Sequence, residues 1–351
     1  MRHHITLLSG LACVLTACGD PAAPSATGPV SLHRGAVQAP TGATVRRLVT
    51  GLGEAQGSTI GPDGALYVTA PLTGSIWRVD AQTGDKTLFA SGLPARNPDP
   101  YFVGAGVVDV AFLGRTAYAL VTGVASDLEP GRDAVVGLYR IDGPGRFTVV
   151  ADIGAFSVAN PPVPDFFVPT GFQYALEPFR GGFLVTDAHH NRVLYVTRGG
   201  EISVLLAFPN IVPTGLAVSG NTVYVAQAGP IPHLPETGRV VSFTPNGGAA
   251  TVVASGAPLL VDVEFGRGQT LFALAQGIWN GPFEGTPADP GTGSLVRVNG
   301  DGTFTTVAGG LDRPTSLEVV GTTAFVVSLA GEVWTVTDIA GPPYGTAEGR
   351  R

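Results

Sequence analysis

Residues 213–227 read PTGLAVSGNTVYVAQ, followed by RVVSF at 239–243 and TVVAS at 251–255. Each apolar run is short, rich in β-branched and aromatic residues, and bounded by Gly, Asn or Pro. Each is therefore a strand rather than a helix. Gly220-Asn221 and Pro245-Asn246-Gly247 supply the turn chemistry that folds one strand back on the next. Counting PTGLAV and TVYVA separately, the stretch holds four short antiparallel strands.

The same grammar recurs along the chain. The second strand returns as ALYVTA (65–70), TAYALV (116–121), GFLVTD (182–187), TLFALA (270–275) and TAFVVS (323–328). The third returns as SIWRVD (75–80), GLYRID (137–142), RVLYVT (192–197), SLVRVN (294–299) and EVWTVT (332–337). Fourth strands are TLFASG (87–92), TVVADI (148–153), SVLLAF (203–208), TVVASG (251–256) and TTVAGG (305–310). Second and third strands thus occur six times and fourth strands five times. TVRRLVTGL (44–52) precedes the first unit and has the character of the missing strand. It is expected at the outer edge of the last sheet, closing the ring. Repeats of four strands imply a six-bladed β-propeller of four-stranded antiparallel blades. A stack of meanders without closure would leave sheet edges exposed.

In such a ring, loops after first and third strands share one face, and loops after second and fourth strands share the other. The first set is tight, as in GPDG (61–64), SGN (219–221) and NGDG (299–302). The second set is long. It comprises 93–106, 122–136, 156–169, 228–238 and 276–293. Function concentrates on elaborated loops held by a rigid scaffold, so the binding face is expected there. These loops carry Tyr101, Phe102, Phe166, Phe167, Trp279 and Phe283, with His233, Glu129, Arg132 and Glu236 as polar groups. Either the rings form an apolar rim for a small molecule or protein partner, or they fold back and pack over the channel mouth. Tyr101, Phe166, His233 and Trp279 are the candidate ligand-binding residues.

The first strand of the fifth unit, VDVEF (261–265), is acidic where others are apolar. Aligning first strands pairs Asp262 with Asp109 of VVDVAF, while the other units carry Gly57, Gly171, Gly215 and Ser316. The second and fifth units face each other across a ring of six, so both carboxylates are expected in the axial channel. No cofactor is the primary expectation. As the alternative, Asp109, Asp262 and Glu264 could hold a divalent cation such as Ca²⁺. They could instead share a proton, bind a cationic ligand, or accept hydrogen bonds from backbone amides. Asp187 is expected to cap a turn. The adjacent His189 and His190 make a poor metal site on a regular strand.

The N-terminus is a sorting signal rather than fold. Residues 5–15 are apolar but too short to span a bilayer, and they end in Leu15-Thr16-Ala17-Cys18. This resembles a bacterial lipoprotein signal, which implies cleavage before Cys18 and lipidation there. The expected organisation is a signal peptide at 1–17, a Pro/Ala/Gly/Ser-rich tether at 18–43, the propeller at 44–340 and a tail at 341–351. Only Cys13 and Cys18 exist, so no cysteine chemistry is available inside the propeller. The net charge is −7 with no basic tract, which argues against nucleic acid as a partner. A monomer anchored by lipid outside the cytoplasm, periplasmic or at the cell surface, is the expected state.

PTGLAV (213–218), GPDGALYV (61–68), VDVEF (261–265) and VRVNGDGTFTTVAGGL (296–311) together resemble the ScyD/ScyE family of exported propellers, close to the NHL-repeat group. The resemblance implies the fold and export, and it brings no catalytic residues. No Gly-x-Ser-x-Gly elbow, His-Glu-x-x-His motif or phosphate-binding loop is present. The expectation is a binding or scaffold module acting through its long-loop face. The alternative is a metal-dependent hydrolase or lactonase similar to the SMP-30/gluconolactonase propellers, although that family's separate Glu, Asn and Asp ligand motifs have no match here.

Overall fold

A computed structural model describes residues 42–99, 104–234, 236–281 and 285–341. Alternating short apolar runs become strands because each buries side chains on both faces of a thin sheet. The strands form six sheets of four antiparallel strands among the described residues. The innermost strands are Ser58–Ile60, Gly106–Leu113, Gln173–Phe179, Pro213–Ser219, Leu260–Phe265 and Pro314–Val320, one for each of blades one to six. Thr44–Val49 pairs antiparallel with Glu332–Thr337, placing Arg47 opposite Trp334 at the outside of blade six. The molecule is a six-bladed β-propeller.

Six apolar clusters lie between successive blades, and they make the core. Between blades four and five, for example, Val240 and Ala254 pack with Leu260, Val263 and Leu271, all buried. Between blades six and one, Phe325, Val327 and Val333 pack with Leu66, Val68 and Val79, and Leu48 and Val49 of the N-terminal strand cover them. Burying these side chains is the main favourable term holding blade to blade.

Five of the six inner strands carry a β-bulge near their start, at 107/109, 173/176, 213/216, 260/262 and 314/316. A bulge adds a residue and re-aims side chains. Here it lets consecutive residues such as Tyr174 and Ala175 both line the axial channel. The long loop after blade two also contains a helix, Ile153–Ala159, where the sequence suggests only loop. Asp152 caps it, accepting from the Ala155 N–H at 2.7 Å. Among the described residues, no helix is long and apolar enough to cross a membrane.

Candidate functional site

Asp109 and Asp262 stand at matching positions of opposed blades, as the repeat predicts. Each makes the same pair of bonds. Asp109 Oδ1 accepts from its neighbour Val110 N–H (2.8 Å), and Oδ2 accepts from Leu176 N–H of the next blade (2.7 Å). Asp262 accepts from Val263 N–H (2.9 Å) and from Leu317 N–H of blade six (2.7 Å). Ser316 does the same job between blades six and one, its Oγ accepting from Ser58 N–H at 3.1 Å. Of the two opposed aspartates, each is therefore a staple between adjacent blades.

The channel holds more acid than the alignment reveals. Glu177, Glu264 and Glu318 line it with Asp109 and Asp262. Strand register makes all three glutamates equivalent, two residues beyond the aspartate position. Period-two alternation returns them to the same wall. Burial, opposed by the Leu317 and Val263 amides, pushes Asp262 up to about 7. Burial likewise raises Asp109, and burial with the surrounding acids raises Glu177, Glu264 and Glu318. Among the described residues, no lysine or arginine lines the channel. Desolvation without a counter-charge favours the neutral carboxyl.

As a metal centre, this set fits poorly. Both oxygens of each aspartate already accept backbone N–H groups, and no group of three or more His, Cys, Asp or Glu is gathered to hold an ion among the described residues.

Tyr174 closes the channel toward the long loops. It leaves blade three, and its hydroxyl donates to the Thr315 carbonyl of the diametrically opposed blade six at 3.1 Å. Burial raises its phenol well above the ordinary range, and the charges of Asp262 and Asp109 add to this. Gln56 and Tyr174 border both the acid channel and a second space above it.

That second space is a cavity of about 430 Å³ on the long-loop face. Phe166, Phe172, His189, Ile231 and His233 are among its walls, over a floor near Ala188, Val212, Ala228 and Leu259. Phe166 meets His189 edge-to-face at 4.8 Å, and Phe172 lies 5.6 Å from the same ring. Burial, with His233 beside it, brings His189 down to about 4, and burial brings His233 down to about 4. The Nδ1 atoms of both histidines and the Oε1 of Gln56 are buried without a hydrogen-bond partner. Volume, apolar lining and a few polar groups together are the usual make-up of a small-molecule site.

No protein-family model and no curated protein matches the chain. Solved structures do. It is similar to a gluconolactonase from Xanthomonas campestris, with TM-score 0.59 and 12% identity over 84% of this chain and 89% of that one. It is similar to a putative oxidoreductase (glucose dehydrogenase) from Thermus thermophilus, with TM-score 0.56 and 16% identity over 84% and 100%. Catalytically inactive virginiamycin B lyase from Staphylococcus aureus, solved with quinupristin, gives TM-score 0.52 and 12% identity over 84% and 99%. At these identities the likeness carries the fold.

Of the loop residues predicted for the site, Phe166 and His233 line the cavity. Trp279 instead braces it from behind, its indole N–H donating to Thr286 (3.0 Å) and its ring meeting His233 edge-to-face (6.1 Å). Tyr101, Phe102, Phe283 and Cys18 lie outside the described residues. Glu129 and Arg132 tie long loops together through Asn97 and the Ala95 carbonyl and do not reach the cavity. Glu236 is exposed and does not line it.

Two further expectations change. In blade three, Ala175 rather than Gly171 occupies the aspartate position, because Leu176 pairs with Val185 as Leu216 pairs with Val225. Asp187 is no turn cap. It is fully buried and accepts from Arg192 Nε (2.7 Å), Gln173 Nε2 (2.9 Å) and Ser157 Oγ (3.4 Å), with His190 Nδ1 at 3.0 Å. Ser157, His190 and Asp187 are not a catalytic triad, since His190 Nε2 faces the Val168 carbonyl and not the serine. The two adjacent histidines also separate, His190 into this network and His189 into the cavity. Glu177, Glu318, Tyr174 and Phe172 were not singled out from sequence. Tyr174 had one available signal, an aromatic where the other inner strands place Gln56, Val108, Thr214, Val261 and Thr315.

Proposed function

We propose that this chain is an extracytoplasmic, lipid-anchored propeller of the ScyD/ScyE type that binds a small molecule on its long-loop face. The observation carrying the reading is the cavity of about 430 Å³, walled by Phe166 and Phe172 of one loop and by His189 and His233 of two others. The test is a fluorescence titration of the full chain with the neutral naphthalene dye prodan. Saturable binding is expected, weakened about tenfold by Phe166→Ala, the loss of one half-buried ring. Absence of binding, or an unchanged affinity in the variant, rejects the site.

The catalytic alternative is a hydrolase or lactonase of gluconolactonase type using Asp109, Asp262 and Glu264 with a divalent cation such as Ca²⁺. It is supported by the axial acids and by the company of lactonase propellers in fold space. It ranks second because the aspartate oxygens are already committed to backbone amides. A Ca²⁺-dependent rise in melting temperature that Asp262→Asn abolishes would promote it.

A further inference from the structure

The loop-face cavity offers a ligand almost no charge. Of the described residues lining it, Asp165 is the one acidic residue, it is exposed, and no lysine or arginine contributes. His189 and His233 are neutral at pH 7, since burial brings both down to about 4. An ion entering here would lose its hydration with no buried counter-charge to replace it, which is costly.

Hydrogen bonding is scarce as well, because the polar side chains of the wall are committed to the protein itself. Tyr174 donates to the Thr315 carbonyl (3.1 Å), and Thr214 donates to the Leu260 carbonyl (3.0 Å). Gln173 Oε1 accepts from Thr122 Oγ1 (2.7 Å), while its Nε2 donates to Asp187 (2.9 Å). Asn191 Oδ1 accepts from Ile211 and Val212 N–H, Asn210 is bonded on both sides to Ile231, and Gln276 Oε1 accepts from Ala288 N–H. The unpartnered atoms, Nδ1 of both histidines and Oε1 of Gln56, are enclosed in the wall and present no surface to the cavity. A polyhydroxylated molecule would therefore give up water at its hydroxyls and leave them unpaired, which is costly. The surface that remains is apolar. Ala188, Val212, Ala228 and Leu259 of the floor pack in one apolar cluster with Ile231, and the apolar lining reaches solvent at Phe167, which is 71% exposed. The volume of about 430 Å³ is room for about 14 waters at about 30 Å³ each. Releasing water from such walls favours an apolar occupant.

Resting on the binding reading above, we infer that the ligand is an uncharged, predominantly hydrocarbon molecule, held by burial of its apolar surface. The site selects by what it lacks: an ion or a sugar loses water there and gains no partner. Affinity grows with the apolar area buried until the cavity is full.

Calorimetric titration of the full chain at pH 7 tests this with two sets of probes. The first is a neutral series, 2-hexanone, 2-octanone and 2-decanone. The second is octanoate, octylammonium and D-glucose. Within the neutral series, affinity is expected to rise about fourfold for each added methylene. Both ions are expected to bind about 100-fold or more weakly than 2-octanone, and glucose is expected not to bind. Ala228→Leu adds bulk to the cavity floor and should weaken 2-decanone at least about tenfold. Ala188→Leu makes the same comparison if the first variant does not fold. An ion or glucose that binds as well as 2-octanone, affinities that do not rise with chain length, or an unchanged affinity in a folded floor variant overturns the inference. If prodan still binds in that case, and Phe166→Ala still weakens it, the cavity stands and only the ligand class falls. If neither prodan nor any ketone binds, the site itself falls.

Discussion

Raising the pH from 6.5 to 8 should destabilise this propeller. The five axial carboxyls titrate near ordinary values in the unfolded chain but are raised in the fold, mainly by burial. A raised acid contributes stability that is complete below its unfolded pKa and lost as pH rises through its folded pKa. For Asp262 the loss therefore runs from its ordinary 3.8 up to about 7. Each acid still protonated in the fold costs ~1.4 kcal/mol per pH unit above its unfolded value. One such acid thus removes ~2 kcal/mol between pH 6.5 and 8. The histidines run the other way, because His189 and His233 drop from 6.5 to about 4 and so add stability only as pH rises to 6.5. Above that pH the acids act unopposed. Urea unfolding followed by the fluorescence of Trp77, Trp279 and Trp334 gives the free energy at each pH. A fall of at least ~2 kcal/mol over this window is expected. Glu264→Gln should shrink it, by removing one acid and one source of repulsion for Glu177 and Glu318. A stability that stays flat or rises from pH 6.5 to 8 refutes the neutral acid cluster.

Gly215→Ala should cost more than about 2 kcal/mol, since a Cβ there would sit 2.1 Å from Asp262 Oδ1 and 2.5 Å from its Cα; thermal unfolding of the variant measures it. Asp187→Asn should cost about 3–5 kcal/mol by leaving the buried Arg192 guanidinium without its carboxylate, again read by urea unfolding. Deleting Thr44–Val49 should cost about 3 kcal/mol or more, because Val45, Leu48 and Val49 cover clusters at the edge of blade six. A deletion variant as stable as the parent would show that this strand does not secure the ring.

The blades were legible because each strand is local and each turn has its own chemistry. The alternation in TVYVAQ and the Gly-Asn turn before it need no tertiary knowledge. The opposed aspartates were legible too, since repeat register carries a residue to its place around the ring. Blade three was harder. Pro169-Thr170-Gly171 imitates Pro213-Thr214-Gly215 but lies four residues before the true register, and Gly171 sits in a turn with φ of +76°. An even shift preserves inward and outward alternation, so pattern alone could not expose the error. It hid Ala175 and, two residues on, Glu177. The cavity was only partly legible. Long loops and their aromatics indicated the face, yet whether Trp279 or Phe172 supplies the wall depends on how loops from different blades fold over one another. His189 and His190 make the same point: adjacent in sequence, one enters the cavity and the other a buried ion network.

The central claim is the position of the ligand site, and photo-crosslinking tests it most directly. The full chain is irradiated with a neutral naphthyl diazirine, and the labelled peptides are mapped by mass spectrometry. Adducts are expected on the peptides carrying Phe166, Phe172, His189 and His233, competed away by 2-naphthol. Adducts confined to the outer strands, around exposed Leu88 and Val252, would contradict it.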